Sequence, residues 1–320
     1  MKIYHHLSEF KKLDNAIVTI GTFDGVHYGH QKIIKRLCEL AKASGGESVI
    51  LTFFPHPRMI IDPENQSLKM INTITEKAEI LSNLGVDHLI ITPFTRDFSN
   101  LCASDYIQKI LVDTIGTKQI IVGYDHRFGK DRQGGMEELE TFSKTYDFAI
   151  EEIPEQDIDD VAVSSTKIRA ALLDNDVSLA ASYLGYDFSI SGPVIKGDKI
   201  GRTIGFPTAN IFVEETYKLI PGDGIYAVTV EMKKPEDDAP MVYKGMAYIG
   251  QRPTINGMTR NIEVNIFDFN EEIYGQTIKM NFLKFLRHDV KFTGLEALKI
   301  QLHEDKIATL NFFSQSQKPN

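Results

Sequence analysis

The sequence predicts two folds in succession: an α/β doubly wound parallel sheet, then an antiparallel β-barrel or sandwich. Three observations carry this. Strand and helix patterns alternate from residue 17 to residue 153, the order that builds a parallel sheet with helices on both faces. From residue 187 to residue 285, strand-like runs follow one another with only turns between them, which leaves no room for crossover helices. A final segment, 295–310, has apolar residues at helical spacing and is expected to cap the second fold.

In the first half, residues 17–22 (IVTIGT) read as a buried strand, β-branched and nearly continuous. Residues 29–43 follow as a helix with Ile33, Ile34, Leu37, Leu40 and Ala41 on one face, ended by Ser-Gly-Gly at 44–46. Residues 48–54 form a second strand stopped by Pro55-His-Pro57, and 75–84 a helix closing at Gly85. The third strand is 87–92; Ser104 then caps a helix running to about Ile115, with Gly116 past its end. Strands at 119–123 and 148–153 flank a helix at 136–146, and helical patterns cover 166–173 and 174–186. The domain boundary is expected at 182–186, giving domains 1–183 and 184–320 joined by a short connection, since no long Gly/Ser or Pro linker intervenes. The second-half runs are 187–195, 208–213, 224–232, 241–249, 261–269 and 276–285, with Pro235–Asp238 as a polar hairpin tip.

The chain has 320 residues, 42% hydrophobic and 25% charged, with a net charge of -9. This is an ordinary globular composition, and its negative balance argues against nucleic acid or an anionic membrane surface as partner. A small anionic ligand is not excluded, because a local cluster can hold one. Two cysteines, Cys38 and Cys102, form no C-x-x-C pair, so neither a disulfide framework nor a zinc ribbon is expected. The N-terminus lacks an apolar signal core and no run approaches a membrane span, so a cytoplasmic enzyme is the expectation. Oligomeric state is left open, a homo-oligomer included.

In doubly wound sheets, ligands bind beyond the carboxyl ends of the strands, and the unusual residues fall there. After the first strand come Phe23, Asp24, Gly25, His27 and His30, at the start of a helix whose free N–H groups and dipole suit a phosphate. After the second come Pro55, His56, Pro57 and Arg58; after the fourth, Tyr124 to Gly129, with Asp125, His126 and Phe128. Ser165, Thr166 and Arg169 open a further helix, where hydroxyls, N–H groups and a guanidinium can face an anion. Each segment alone has a plain structural reading: a first helical turn, an N-cap, a proline-stiffened loop. Their coincidence on one rim favours function. Zinc is disfavoured, because no third ligand joins His27 and His30 at motif spacing.

The chemical stretch of the second half is Gly192 to Asn210. Its glycines, Gly197 and Gly201 among them, permit backbone approach to phosphates beside Lys199 and Arg202. It is not a P-loop, since Asp198 interrupts the pattern and Ile200 replaces the hydroxyl. Thr208 and Asn210, two apart on a strand start, share a face and can both offer oxygen to Mg²⁺. Glu263 lies in a strong strand pattern, either outward-facing or buried with a partner.

The stretch G-T-F-D-G-V-H-Y-G-H resembles the H-x-G-H signature of the nucleotidyltransferase superfamily, and V-G-Y-D-H-R-F-G and S-S-T-K-I-R are similar to later signatures of FMN adenylyltransferases in prokaryotic FAD synthetases. His126 stands where that pattern usually has Phe. The resemblance implies a Rossmann-like sheet in which His27 and His30 contact ATP phosphates. It also implies that Gly21, Phe23, Gly25 and Asp125 bind the nucleotide, that Ser165, Thr166 and Arg169 hold the β- and γ-phosphates, and that Pro55, His56, Arg58 and Phe128 bind flavin. G-R-T-I-G-F-P-T-A-N resembles riboflavin kinase, supported by Gly224–Ala227, Gly250–Thr254, Ile262–Val264, Tyr274-Gly275 and Leu286-Arg287. That implies a six-stranded Greek-key barrel with a C-terminal helix and an ATP loop including Gly197, Lys199, Gly201 and Arg202. It makes Thr208 and Asn210 ligands of phosphate and Mg²⁺, Glu263 the general base, and Arg287 a residue closing the flavin site. The resemblances together cover nearly the whole chain. They imply a bifunctional riboflavin kinase/FMN adenylyltransferase using ATP and Mg²⁺, with riboflavin, FMN and FAD as its flavins. Transfer to a different nucleotidyl acceptor, or flavin sensing with only one active domain, are the competing readings.

Overall fold

The structure, a computed structural model, describes residues 1–62, 64, 68–124, 126–154, 163–197, 200–233, 239–254 and 257–316. Its chain divides into two units, Met1–Ser165 and Thr166–Asn320. The first unit runs β1 (Lys2–Tyr4), β2 (Ala16–Ile20), α1 (Tyr28–Ser44), β3 (Glu47–Phe53), α2 (Pro57–Ile61), α3 (Ile74–Asn83) and β4 (His88–Thr92). It continues with α4 (Arg96–Ser99), α5 (Ala103–Asp105) extended by a π-helical stretch (Tyr106–Ile115), β5 (Thr117–Gly123), α6 (Met136–Tyr146) and β6 (Ala149–Ile153).

The expected parallel sheet is present, with six strands in the order β1-β4-β3-β2-β5-β6. From β2 the chain builds outward through β3 to β4, then returns past β2 to add β5 and β6. The gap between β2 and β5 is therefore the switch point where such sheets bind ligands. Alternation along each strand sorts the core into two layers. Ile17, Ile50, Leu89 and Ile121 face one layer with Ile34 and Leu37 of α1 and Leu81 of α3. Val18, Leu51, Ile90 and Ile120 face the other with Tyr106, Ile107 and Leu111 of the π stretch and Leu139 of α6. Ile34 and Leu37 are fully buried; each contributes about 1.5–3 kcal/mol by leaving water. The α1 helix ends at Gly45, whose N–H reaches the Ala41 and Lys42 carbonyls, and α3 starts on a Thr73/Glu76 capping box.

The second unit carries α7 (Ser165–Leu173, its first residue being the last of the first unit), α8 (Val177–Leu184), β7 (Ser189–Ile195), α9 (Ile200–Thr203), β8 (Ala209–Ile211) and β9 (Gly224–Met232). After these come β10 (Met241–Thr254), β11 (Gly257–Ile266), β12 (Thr277–Arg287) and α10 (Leu295–Ser316). The six strands close into a barrel in the order β10-β11-β8-β7-β12-β9. Closure decides between barrel and sandwich. β9, β10 and β11 pair in succession while β12 returns beside β9, which is the Greek-key arrangement. Tyr226, Phe188 and Phe282 meet inside it, with ring centroids 5.2 Å apart for Tyr226–Phe282 and 6.0 Å for Phe188–Phe282. α7 and α8 are fastened to this barrel: Gly222 N–H donates to the Leu172 carbonyl, Asn175 Nδ2 to the Asp223 carbonyl and Ser178 Oγ to the Leu283 carbonyl. The expected hairpin tip at 235–238 and the end of the tail, 317–320, lie outside the described residues.

Candidate active sites

The turn after β2 leaves the switch point and enters α1. Its backbone is unusual: Phe23, Gly25 and Val26 have φ of 44°, 84° and 35°, left-handed values that only supporting contacts sustain in non-glycine residues. Those contacts are present. Asp24 Oδ1 accepts from the Ile71 and Asn72 N–H groups at 3.0 and 3.5 Å. Ser165 Oγ donates to the Asp24 carbonyl at 2.9 Å. Gln31 Nε2 donates to the Val26 carbonyl at 2.9 Å. From below, Lys77 Nζ of α3 donates to the Thr22 carbonyl at 2.6 Å. At Gly21 a Cβ would crowd the Phe23 ring at 3.0 Å.

This support delivers His27 to the N-cap of α1 and His30 to its first turn. Their rings stack with centroids 3.6 Å apart at 18°, and Phe23 lies edge-on to His30 at 5.2 Å. Neither ring Nδ1 has a hydrogen-bond partner among the described residues, and the His27 side chain does not cap the helix. Burial lowers the His27 pKa from 6.5 to about 4. Burial, then His27 and Lys77, hold that of His30 well below 6.5. Both imidazoles are thus neutral near pH 7, each with one ring N–H to donate. No acidic side chain occupies the first turn of α1. The mouth combines backbone N–H groups, the positive end of a helix dipole and two imidazoles, a set suited to phosphate.

Of the other rim residues, His56 caps α2 by accepting from Arg58 N–H through Nδ1 at 3.2 Å, with Pro55 just before it and Arg58 exposed. Phe128 is buried between Tyr106 and His126, with centroids at 5.3 and 5.8 Å. Asp125 lies outside the described residues. Phe128 belongs to an aromatic row that the sequence reading missed. Phe94 touches Phe53 at 5.5 Å, Phe53 touches Phe98 at 5.4 Å, and Phe98 touches Tyr106 at 5.9 Å. Aromatic residues at the carboxyl ends of β3 and β4 were the available signal. Thr166 and Arg169 follow Ser165 along α7.

In the barrel, Thr208 Oγ1 donates to Glu263 Oε2 at 2.8 Å, and Asn261 Nδ2 donates to Glu263 Oε1. Glu263 is the register partner of Asn210 across β11 and β8, so the two share a face. The structure thus brings together Thr208, Asn210 and Glu263; Glu263 lies on the outer face of the barrel, opposite in side to the buried Val264, and is half-buried there against its partners. Gly197 passes so close to the Asn210 amide that a Cβ would overlap it. Gly201 and Arg202 form part of α9, and Lys199 lies outside the described residues. Arg287 is committed to a bidentate pair with Asp305 of α10, Nε and Nη2 each 2.7 Å from a carboxylate oxygen. Tyr248, opposite Glu263 in the β10–β11 register, donates to Asp289 Oδ2 at 3.0 Å. Burial first, and nearby carboxylates second, push its phenol up to about 12. The sequence reading did not single out Tyr248 or Asp289.

Two family models match the chain in succession: the FAD synthetase model covers residues 9–167 and the riboflavin kinase model residues 184–313. Relatives described as bifunctional riboflavin kinase/FMN adenylyltransferase span almost the whole chain. The protein of Haemophilus influenzae is 36% identical over 94% of this chain and 96% of its own length. That of Bacillus subtilis is 34% identical over 98% and 97%, and that of Escherichia coli K12 35% identical over 97% and 96%. A crystal structure described as a macrolide-efflux protein from Streptococcus pneumoniae, 30% identical, aligns over 97% of this chain and 98% of its own with a TM-score of 0.84. No helix among the described residues here is long and apolar enough to cross a membrane. With full-length relatives above 30% identity and both domain models matched in order, this chain belongs to the bifunctional riboflavin kinase/FMN adenylyltransferase family.

Proposed function

We propose a residue-level division of labour for the two ATP-dependent activities this chain carries, riboflavin kinase and FMN adenylyltransferase. Residues 184–320 make FMN and residues 1–183 convert it to FAD. In the second step an FMN phosphate oxygen attacks the ATP α-phosphorus in line. The bond to the β-phosphate breaks, and pyrophosphate leaves with the electron pair. His27 and His30 donate N–H to the α-phosphate oxygens as charge builds there, alongside the first N–H groups of α1. Gly21, Phe23, Gly25 and Asp125 line the nucleotide, while Ser165, with Thr166 and Arg169 further along α7, holds the β- and γ-phosphates. Pro55, His56, Arg58 and Phe128 receive the flavin, joined by the aromatic row from Phe53 to Tyr106. The observation that carries this reading is the stacked, neutral histidine pair at the open N-terminus of α1.

In the first step Glu263 takes the proton from the ribityl 5′-hydroxyl, whose oxygen attacks the γ-phosphorus of ATP while ADP departs. Gly197, Lys199, Gly201 and Arg202 cover the phosphates, and Arg287 fixes the segment that closes the flavin site. The oxygen donors Thr208 and Asn210, beside the Glu263 carboxylate, fit a hard cation. They would hold Mg²⁺, which when bound neutralises charge on the transferred phosphoryl group. The net charge of -9 disfavours a nucleic-acid partner. Incubation with riboflavin, Mg²⁺ and ATP should yield FMN and then FAD, and chelating the metal should stop FMN formation. Bound flavin with neither product would overturn this assignment, and undiminished turnover in chelator would remove the metal.

A further inference from the structure

Lys77 has no role in the two reactions as described, yet it is among the most buried large side chains, at 2% exposure. It lies on the inward stripe of α3 with Ile74, Ala78 and Leu81, where an apolar residue would fill the space without a desolvation cost. An ammonium removed from water costs several kcal/mol unless its surroundings compensate. Burial lowers its pKa to about 8, while Asp24 favours the charged form, so it remains a cation at neutral pH. Its Nζ meets the Thr22 carbonyl at 2.6 Å, one residue before the left-handed turn that carries His27 and His30. The Thr22 carbonyl also accepts from Thr52 Oγ1 at 3.3 Å, so a neutral donor already serves it. What Lys77 adds is charge.

We propose that Lys77 is a positioning residue for adenylyl transfer: it anchors the Thr22 carbonyl, and through it the Phe23–Val26 turn, and sets a fixed positive charge beneath His30. The titratable groups around the pair are few. Lys77 faces Asp24 of the turn and His30 of α1, and follows Glu76, whose carboxylate caps the Thr73 N–H. His30 faces His27 and Lys77. A cation under stacked imidazoles disfavours a second positive charge on His30, keeping it a neutral donor. In a low-dielectric interior it also favours the negative charge that develops in the mouth above. Held from below by Lys77 and from the side by the Ile71 and Asn72 amides, the turn presents both rings without rearrangement when ATP binds.

The inference rests on the His27/His30 turn being the adenylyl-transfer site, and the test separates the two claims. Lys77→Met, Lys77→Gln and His30→Ala would be made in the full-length chain. FMN adenylylation would be followed by pyrophosphate release across pH, with riboflavin phosphorylation in the same preparations reporting folding of the other unit. Lys77→Met should lower adenylylation kcat by about 10²-fold, the scale of an ångström-level misplacement, with little change in KM for FMN. Lys77→Gln keeps a donor for Thr22 but no charge, so it should lose less kcat. In both variants the acid limb of the pH–rate profile should move to higher pH, because His30 gains a proton more easily once the cation is gone. Mere filling of the core would not move that limb. An unchanged acid limb and kcat in Lys77→Gln would overturn the proposal even if Lys77→Met fails to fold. Full adenylylation in His30→Ala would instead overturn the site assignment beneath it.

Discussion

Glu263→Gln isolates the proposed base from the structure that holds it. The carboxylate accepts from Thr208 Oγ1 on one oxygen and from Asn261 Nδ2 on the other. A glutamine of the same shape keeps both links. Its carbonyl oxygen accepts from Asn261, and its amide nitrogen donates to the Thr208 hydroxyl, which can rotate to accept. Only proton acceptance is lost. A positioned general base contributes about 10²–10⁴-fold, or about 3–5 kcal/mol of barrier at roughly 1.4 kcal/mol per decade. Riboflavin phosphorylation by the variant should therefore fall by that factor in kcat, with KM for riboflavin near its wild-type value, while added FMN is still converted to FAD. Product chromatography after riboflavin and ATP, run beside a parallel FMN reaction, reads both. A kcat within fivefold of wild type would remove Glu263 from the base role. Glu263→Ala is the poorer probe, since it strands the Thr208 and Asn261 donors and adds the cost of unsatisfied polar groups.

Three further outcomes follow from the geometry. His30→Ala should cut FAD formation by at least about 10²-fold, the loss typical of one charge-stabilising donor, while FMN accumulates; loss of kinase turnover in a folded variant would contradict the division of labour. His27 titrates near 6.5 when unfolded and near 4 when folded, so the unfolded chain binds the extra proton between those values. The stabilisation is complete above pH 6.5 and declines by about 3 kcal/mol as pH falls to 4, and His27→Asn should flatten the fall in urea midpoint over that window. Asp305 is 3% exposed and holds Arg287 through two oxygens, so Asp305→Ala leaves a half-buried guanidinium uncompensated. It should cost about 3 kcal/mol, seen as a lowered midpoint for thermal loss of kinase activity.

Periodicity made most of the architecture legible. Apolar runs, nearly continuous and β-branched in β2, marked β2 to β6, and the succession of strands after Ser189, into which the structure inserts only the four-residue α9 among the described residues, marked the barrel. What escaped was local or distant. β1 is three residues long and largely exposed, and its pairing with β4 makes it a strand. The helix expected from a Ser104 cap to about Ile115 instead starts after Cys102, with Ser104 inside it, and its turns from Tyr106 on are π-helical, with Tyr106, Ile107, Leu111 and Ile115 buried; a 3.6-residue template does not register that. The histidines, Thr208 and Asn210 stood in spaced motifs. The meeting of Glu263 with Thr208 and Asn210 depended on a register between strands that no local pattern connects. Lys77 was hidden for the opposite reason: a lysine in a helix is ordinarily solvated, and only its place on the apolar stripe with Ala78 and Leu81 hinted otherwise.

Barrel closure also fixes an order of events during synthesis. The first barrel strand must wait for the last, because β7 pairs with β12 and Ser189 lies opposite Asn281. The parallel sheet is complete in sequence at Ile153, whereas the barrel needs Arg287. At roughly 5–20 residues per second, with domains folding as units from the N-terminus, the FAD-forming unit has on the order of ten seconds to assemble before the FMN-forming barrel can close. The nascent chain thus acquires its second catalytic step before its first.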